Sequence, residues 1–494
     1  MNVSLIFLFL ILYFLMLLGL SCLASNKDGS NAAYFTGNRR SPWLAVAYGM
    51  IGTMLSGVTF MSVPGYVRET QFTYLALVIG NVLGMFLIVF VLLPLYYRLN
   101  LTSIYTYLGK RFGKKSQKTG ALLFIVSRLF GSSLRLYLVV FTLHEIAFRK
   151  AGIPFPLLSA FLLILILLYT FRGGIKTVVW TDCLQTTCMI LSVAGIFWIL
   201  KNGVDGSLAE ILRKAGEEGM TKIYEGDWKS KVFFWKQIAG GVCITLAMTG
   251  LDQDMMQKNL SCASLTESRK NMLVSAVFFL LSTVAFLLLG VLLLFYAKNN
   301  FIPLPEKADS IFSTVAFKAG SVSALLFVLG LVASGYSSAD GTIASLTTTF
   351  CVDILEFEKT SLAEEKKTRI RKIVHVSFVL CFFLIIVFFR PFHSDSLIAT
   401  IFTIAGYTYG PLLALFFFGM LCKRRCVNDG VVPYIAVLSP VISFFINRFS
   451  KTLFFGYSFG FEILLLNALL SFIALWIFSR RVPQATVGSL ATAP

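Results

Sequence analysis

Charge is scarce in this chain: only 14% of its 494 residues are Asp, Glu, Lys or Arg, against about a quarter in an ordinary soluble domain. That deficit excludes a typical soluble enzyme and a disordered chain alike. Histidine is scarcer still. His144, His375 and His393 are the only three, they are far apart, and none sits in an HExxH pattern, which argues against a His-based metalloenzyme. The nine cysteines are scattered, mostly inside apolar runs, so buried thiols are the default. Cys422 and Cys426 flank Lys423-Arg424-Arg425 with no second ligand pair nearby, and no zinc site is expected. Acids are outnumbered, 24 against 43 basic residues, for a net charge of +19. In a soluble protein that surplus would suggest nucleic acid. Here the basic residues fall in the gaps between apolar runs, where orientation signals belong, so no nucleic-acid partner is expected.

What fills the chain is apolar: 57% of residues are hydrophobic, 15% are aromatic, and 48 are Phe. Runs can be marked at 3–24, 43–66, 72–97, 119–148, 154–171, 177–201, 232–256, 271–297, 321–355, 372–390, 397–422, 431–448 and 455–479. Each reaches or nearly reaches the ~17–25 residues that a spanning helix needs, which predicts an all-α membrane protein of about thirteen transmembrane helices. A bilayer offers backbone groups no partner, and these runs lack the alternation of a barrel, so helices are the only fit. The first run has no basic residue before it and is long enough to span, so it reads as a retained helix rather than a signal peptide.

Alternate loops differ in Lys and Arg content. With the long loop and its edges, 201–236, discounted, the richer set includes the tail Arg480-Arg481. The expected topology is therefore N terminus outside and C terminus in the cytoplasm, in the plasma (bacterial inner) membrane. The stretch 99–118 is a basic, amphipathic inner-face segment, and 356–372 is a mixed-charge cytoplasmic loop.

Two runs are punctuated in corresponding places. The second carries Gly49, Gly52, Ser56, Gly57 and Pro64-Gly65, and the seventh carries Gly240-Gly241 and Gly250. If each opens a five-helix repeat, the odd number makes the second copy inverted. Paired broken helices of this kind point to a midplane site in a secondary transporter. The plainer alternative is that small residues only allow close packing.

Three polar clusters lie inside the runs. Gly52-Thr53-Met54-Leu55-Ser56-Gly57-Val58-Thr59-Phe60 would, if broken, present carbonyls suited to an alkali cation. In Ser334-Gly335-Tyr336-Ser337-Ser338-Ala339-Asp340-Gly341-Thr342, residues Ser334, Ser337, Ser338 and Gly341 share one helical stripe. Asp340 costs ~2.5–3.5 kcal/mol at a helix centre and needs a partner: a cation, a proton or an arginine. Thr181-Asp182-Cys183 follows the turn Arg172-Gly173-Gly174, and Asp182 is either an interfacial cap or an ion ligand. Arg128 and Arg135 lie on one face of the fourth run. Arg128 would snorkel or pair with an acid. Arg135 is deeper and would pair with Asp340 or Asp182, or grip an anionic solute in bidentate fashion. The rule that intramembrane charges pair favours the structural pair. The run Asp252-Gln253-Asp254-Met255-Met256-Gln257-Lys258 reads as a solvated helix end or the inner gate of a site.

In this order the clusters resemble the sodium/solute symporter family. The cues are 101–105 through Lys110-Arg111-Phe112, the run Gly173-Gly174 through Val179-Trp180-Thr181-Asp182 with Gln185, and 253–258. Ser337-Ser338 and Gly406-Tyr407-Thr408-Tyr409-Gly410-Pro411 complete the set. The resemblance implies a LeuT-type five-helix inverted repeat, with 43–231 as the first copy and 232–430 as the second. An extra helix and inner loop at 1–42 precede them, and extra helices with a short tail at 431–494 follow. It implies sodium-driven import by alternating access, with sodium as a co-transported ligand and no cofactor. Matched residue by residue, the sodium site would use carbonyls of Gly52, Leu55 and Ser334 and hydroxyls of Ser337 and Ser338. Members with a second sodium use an acid at the Asp182 position and two hydroxyls one turn past the serine pair. Here those two positions are Asp340 and Gly341, which leaves Asp182 and Asp340 as candidates for a second ion site. The stretch 55–64 looks more like sodium–sialic acid symporters than sodium–galactose ones.

The expectation is thus a sodium-coupled symporter for a small organic solute: a sugar, an acidic sugar such as sialic acid, or another carboxylate. Ser56, Thr59, Arg135, Asp252 and Gln253 would line the solute path. The other partner is the lipid bilayer, and a functional monomer is expected. The alternatives are a sodium-independent channel or facilitator, a solute sensor, and a membrane-embedded transferase. The last would need a catalytic His or paired acids at one face, and the three His are unpaired.

Overall fold

The computed structural model describes residues 3–24, 30–390 and 397–481, so His393 lies outside the described residues. The principal helices are α1 (Val3–Ala24), α2 (Asn31–Thr36), α3 (Trp43–Thr70), α4 (Tyr74–Arg98), α5 (Lys114–Phe148), α6 (Phe155–Phe171) and α7 (Gly173–Asn202). They continue as α8 (Phe234–Thr245), α9 (Gln253–Leu260), α10 (Leu265–Asn299) and α11 (Ser321–Ile354). The last four are α12 (Glu364–Phe389), α13 (Leu397–Leu421), α14 (Val432–Arg448) and α15 (Ile463–Ile477). Among the described residues nine helices are long and apolar enough to cross a membrane, and α6, α14 and α15 are shorter apolar ones. Strands β1 (Arg425–Val427) and β2 (Ser479–Arg481) pair antiparallel beyond the ends of α13 and α15.

α11 is the axis of the bundle. It lies against α3, α5 and the α6–α7 rod, and every residue from Gly330 to Thr349 is buried. A helix buried all round can carry hydroxyls only if they find partners, and Ser and Thr on α11 mostly donate to carbonyls one turn back. α10 backs α3, and α8 packs on α4. The α4–α8 crossing explains the paired glycines. A Cβ on Gly241 would sit 2.2 Å from the Leu77 carbonyl oxygen, and one on Gly80 would sit 2.2 Å from that of Ile238. Gly240-Gly241 therefore serves close backbone approach, and the interruption of the seventh run lies further on.

The turn expected at Gly173-Gly174 is present as the kink that separates α6 from α7, with Gly174 at φ 56° and ψ −153°. The peptide of α2 fills the space beside it: a Cβ on Gly174 would lie 2.5 Å from the Tyr34 Cα. α2 is capped by Ser30 and held by Tyr34 Oη to His375 Nδ1 at 3.0 Å and Asn31 Nδ2 to Glu364 Oε2 at 2.8 Å. α1 joins the bundle through Ser21, which donates to the Tyr169 carbonyl at 2.8 Å, and through Phe14 against Tyr336. In the segment expected at an inner face, Arg111 donates to the carbonyls of Gly419, Cys422 and Arg425 and so caps the end of α13.

Candidate functional site

Both paired interruptions are real, and they differ in chemistry. In α3 the break is at Ser56, with φ 40° and ψ 164°, a conformation that costs a non-glycine residue strain and is kept where the surroundings fix it. Among the described residues no side chain donates to the carbonyl of Gly52 or Leu55. The second break runs from Leu246 to Asp252. A π-turn at Leu246–Gly250 leads to an extended Asp252, whose carboxylate caps α9 by accepting from the amides of Asp254 (3.0 Å) and Met255 (3.2 Å). Its carbonyls are taken: Tyr96 donates to Gly250 at 2.8 Å and Tyr105 to Leu251 at 2.9 Å.

The Ser56 break meets the hydroxyl ridge of α11. A Cβ on Gly52 would come 2.4 Å from Thr186 Oγ1 of α7 and 3.3 Å from Ser337 Oγ of α11, so glycine lets α3 approach both helices here. Ser337 donates to Asp182 Oδ1 at 2.8 Å and lies 3.2 Å from Thr53 Oγ1. Its proton is thereby directed to the acid and its lone pairs are left toward α3, the orientation a cation ligand needs. Ser338 donates to the Ser334 carbonyl at 3.3 Å, and Ser334 to Leu331. The five oxygens expected to hold sodium, on Gly52, Leu55, Ser334, Ser337 and Ser338, therefore belong to two segments in direct contact.

Asp182 is no interfacial cap. It is fully buried within α7, and its second oxygen pairs with Lys258 Nζ at 2.8 Å. Lys258 also donates to Thr53 Oγ1 at 2.7 Å and lies 3.7 Å from Asp254 Oδ1. Asp340 faces elsewhere. It accepts from Tyr169 Oη (3.0 Å), Gln185 Nε2 (3.3 Å) and its neighbour Gly341 N (2.6 Å). The expected pairing of Arg135 with Asp182 or Asp340 is thus overturned, because both acids are engaged by other groups. The two candidate second-site acids also have separate sets of partners.

A cavity of about 100 Å³ opens beside the Ser56 break, lined by Ser56, Thr59, Arg135, Asn81, Thr245 and Thr249 among others. Arg128, on the same wall, is bonded through Nε to Asp252 Oδ2, which also accepts from Tyr409 Oη at 2.5 Å. Arg135 is half-buried and makes no ion pair or hydrogen bond among the described residues. Two expected solute contacts lie off the cavity. Asp252 is fully buried behind Arg128, and Gln253 is fully buried and anchors the 101–104 loop through Ile104 N and the Thr102 carbonyl. The expected solvated helix end at 252–258 is instead buried throughout.

Lys258 and Asn81 were missed as site residues. Asn81 is the one amide in its apolar run, and its Oδ1, at the cavity wall, has no partner among the described residues. Lys258 lies four residues after Asp254, and a buried acid cluster signals a nearby cation.

Several known proteins are similar to this chain. It is 24% identical to the sodium/sialic acid symporter NanT of Aliivibrio fischeri over 85% of the chain and 83% of that protein. It is 24% identical to the sodium/sialic acid symporter SiaT of Proteus mirabilis over 85% of each. The human sodium/iodide cotransporter matches at 26% identity over 83% of the chain and 64% of that protein. The fold matches a solved sodium-coupled sialic acid symporter in a substrate-bound, outward-open state at a TM-score of 0.84 and 22% identity, covering 97% of this chain and 99% of that one. A nucleobase–cation symporter in a closed conformation matches at a TM-score of 0.55 and 12% identity over 91% and 94%. The architecture is a LeuT-type five-helix inverted repeat. Since the sodium:solute symporter model also matches residues 34–432, the chain belongs to that family, as a multi-pass membrane protein that couples sodium to import of a small organic solute by alternating access.

Proposed function

We propose that the solute is an acidic sugar of the sialic acid class, bound through its carboxylate by Arg135. The observation that carries this reading is the guanidinium of Arg135 in the cavity, without a protein anion, next to an Arg128 already neutralised by Asp252. A half-buried cation with no protein counter-ion is costly unless a ligand supplies the charge, and its planar fork suits a carboxylate. Ser56, Thr59 and Asn81 supply hydroxyls and an amide for the sugar ring. The relatives named as sodium/sialic acid symporters support the same class.

In this reading sodium binds first, at the carbonyls of Gly52, Leu55 and Ser334 and the hydroxyls of Ser337 and Ser338. It fixes the broken turn of α3, whose next residues line the solute cavity. Sodium and solute then raise each other's affinity by the same factor. The protein works as a monomer in the bacterial inner membrane, with its N terminus outside and its C terminus in the cytoplasm. The Arg-rich end that carries Arg425, Arg480 and Arg481 supports that orientation.

The test is uptake by proteoliposomes of labelled N-acetylneuraminic acid, glucose, an amino acid and a monocarboxylate, with and without inward sodium. Sodium-dependent uptake of N-acetylneuraminic acid alone is the expected result. Uptake of a neutral sugar at equal rate removes the carboxylate reading, and uptake indifferent to sodium favours a facilitator.

A further inference from the structure

One charged group beside the proposed sodium site has no role in the reading above. Lys258 is 1% exposed, among the most deeply buried large side chains of the protein. Its ammonium sits among three oxygens from three helices: Asp182 Oδ2 of α7 at 2.8 Å, Thr53 Oγ1 of α3 at 2.7 Å and Asp254 Oδ1 of α9 at 3.7 Å. We propose that this ammonium is a resident cation, standing where a second transported sodium would otherwise neutralise Asp182, so that the carrier moves one sodium ion per solute. The inference rests on the sodium site proposed above and adds its stoichiometry.

Three features support it. First, both oxygens of Asp182 are engaged: Oδ1 takes the Ser337 hydroxyl and Oδ2 takes Lys258. An ion arriving from solution would find the acid already neutralised, and would meet a like charge at contact distance in a medium that screens poorly. Second, the space for the ammonium is made by a missing side chain. A Cβ on Gly341 would lie 2.9 Å from Lys258 Nζ and 2.5 Å from Asp254 Oδ1. Gly341 sits mid-helix without a positive φ, so the backbone does not require glycine there; the space it leaves is filled by the Asp254 carboxylate and the Lys258 head. Third, Asp340 is near enough to act on Lys258 through its charge, but its hydrogen bonds go to Tyr169, Thr181 and Gln185. The two positions one turn past Ser337-Ser338 thus contribute no ligand beside Asp182, and the lysine supplies the charge.

A tethered cation neutralises the acid through the whole cycle and is never released with the solute. Lys258 also ties α9, just past the second break, to Thr53, three residues before the first. It acts as a positioning and stoichiometry-determining residue.

The test counts ions directly, without any solute. The full-length protein in detergent is dialysed to equilibrium against radioactive sodium. The wild type should bind one ion per chain with a non-cooperative isotherm, and Lys258→Met should bind two, because Asp182 is freed. Adding Gly341→Ser to that variant should tighten the second ion. Two ions on the wild type, or one on a folded Lys258→Met, overturns the inference alone. If Lys258→Met does not fold, the wild-type count still decides. Ser338→Ala tests the underlying site separately: loss of the bound ion supports that site, whereas unchanged binding, or no ion on the wild type, sinks the site and this inference with it. Transport gives a second readout. With a tenfold sodium gradient and no voltage, solute accumulation should stall near ~10-fold, where two coupled ions would drive it toward ~100-fold.

Discussion

Replacing Ser337 by Ala tests whether the contact between the broken turn and α11 is an ion site or only helix packing. The hydroxyl is fully buried, donates to Asp182 at 2.8 Å, and is placed 3.3 Å from where a Gly52 side chain would begin. Truncation removes one expected sodium ligand and one of the donors on the acid behind it. A hydrogen-bond-like contact to a charged group contributes ~1.5–3 kcal/mol, so the sodium affinity should fall by ~10- to 150-fold. The assay is initial solute uptake against sodium concentration. A melting curve in sodium chloride against potassium chloride goes with it, because an ion that binds only the folded state raises the melting temperature as its concentration rises. The variant should need far more sodium for both effects, with the maximal uptake rate less affected. The refuting result is a melting temperature that drops equally in both salts while the sodium requirement stays within about twofold of wild type. Ser337 would then be interhelical glue of ordinary strength.

Replacing Arg135 by Lys keeps the charge and loses the fork, so uptake of an acidic sugar should fall by about tenfold or more while any neutral solute is little affected; equal losses would remove the carboxylate reading. Asp252→Asn strips the counter-ion from Arg128 and should cost ~3–5 kcal/mol of stability, seen as a lowered melting temperature. The joint replacement Arg128→Met with Asp252→Leu should recover much of it, and a single variant as stable as wild type would contradict the buried pair. Gly241→Val forces a side chain into the Leu77 carbonyl and should destabilise by ~1–3 kcal/mol or abolish expression; a normal melting temperature would show that α4 and α8 do not cross as closely as described.

Most of the fold was legible because the bilayer leaves few choices: apolar runs of the right length that cannot hide their backbone polar groups must be helices. The broken pair was legible in α3 from its Gly, Ser and Pro content, although the strain fell on Ser56 rather than on a glycine. In the seventh run Gly250 marked the break, and Gly240-Gly241 did not. Gly240-Gly241 serves close packing, and the break sits at Gly250 to Asp252. Asp252 and Gln253 were expected on the solute path because they adjoin a break. Residues at a break can project to either side, and these project into Arg128 and the 101–104 loop. Partners of buried charges were the hardest to assign. Arg135, Asp182 and Asp340 could satisfy one another on paper, and only the three-dimensional arrangement shows Lys258 from a distant segment taking Asp182.

The two tyrosines that donate to Gly250 and Leu251 have a further consequence. An inverted repeat starts from two equivalent gaps in its helices, each able to receive an ion. Here phenol groups from 96 and 105 have plugged one of them, while among the described residues no side chain donates to the carbonyls of Gly52 and Leu55 at its mate. The two breaks therefore differ in both shape and chemistry. Mutating Tyr105 to Phe would unplug the idle gap and show whether it still remembers how to hold a guest.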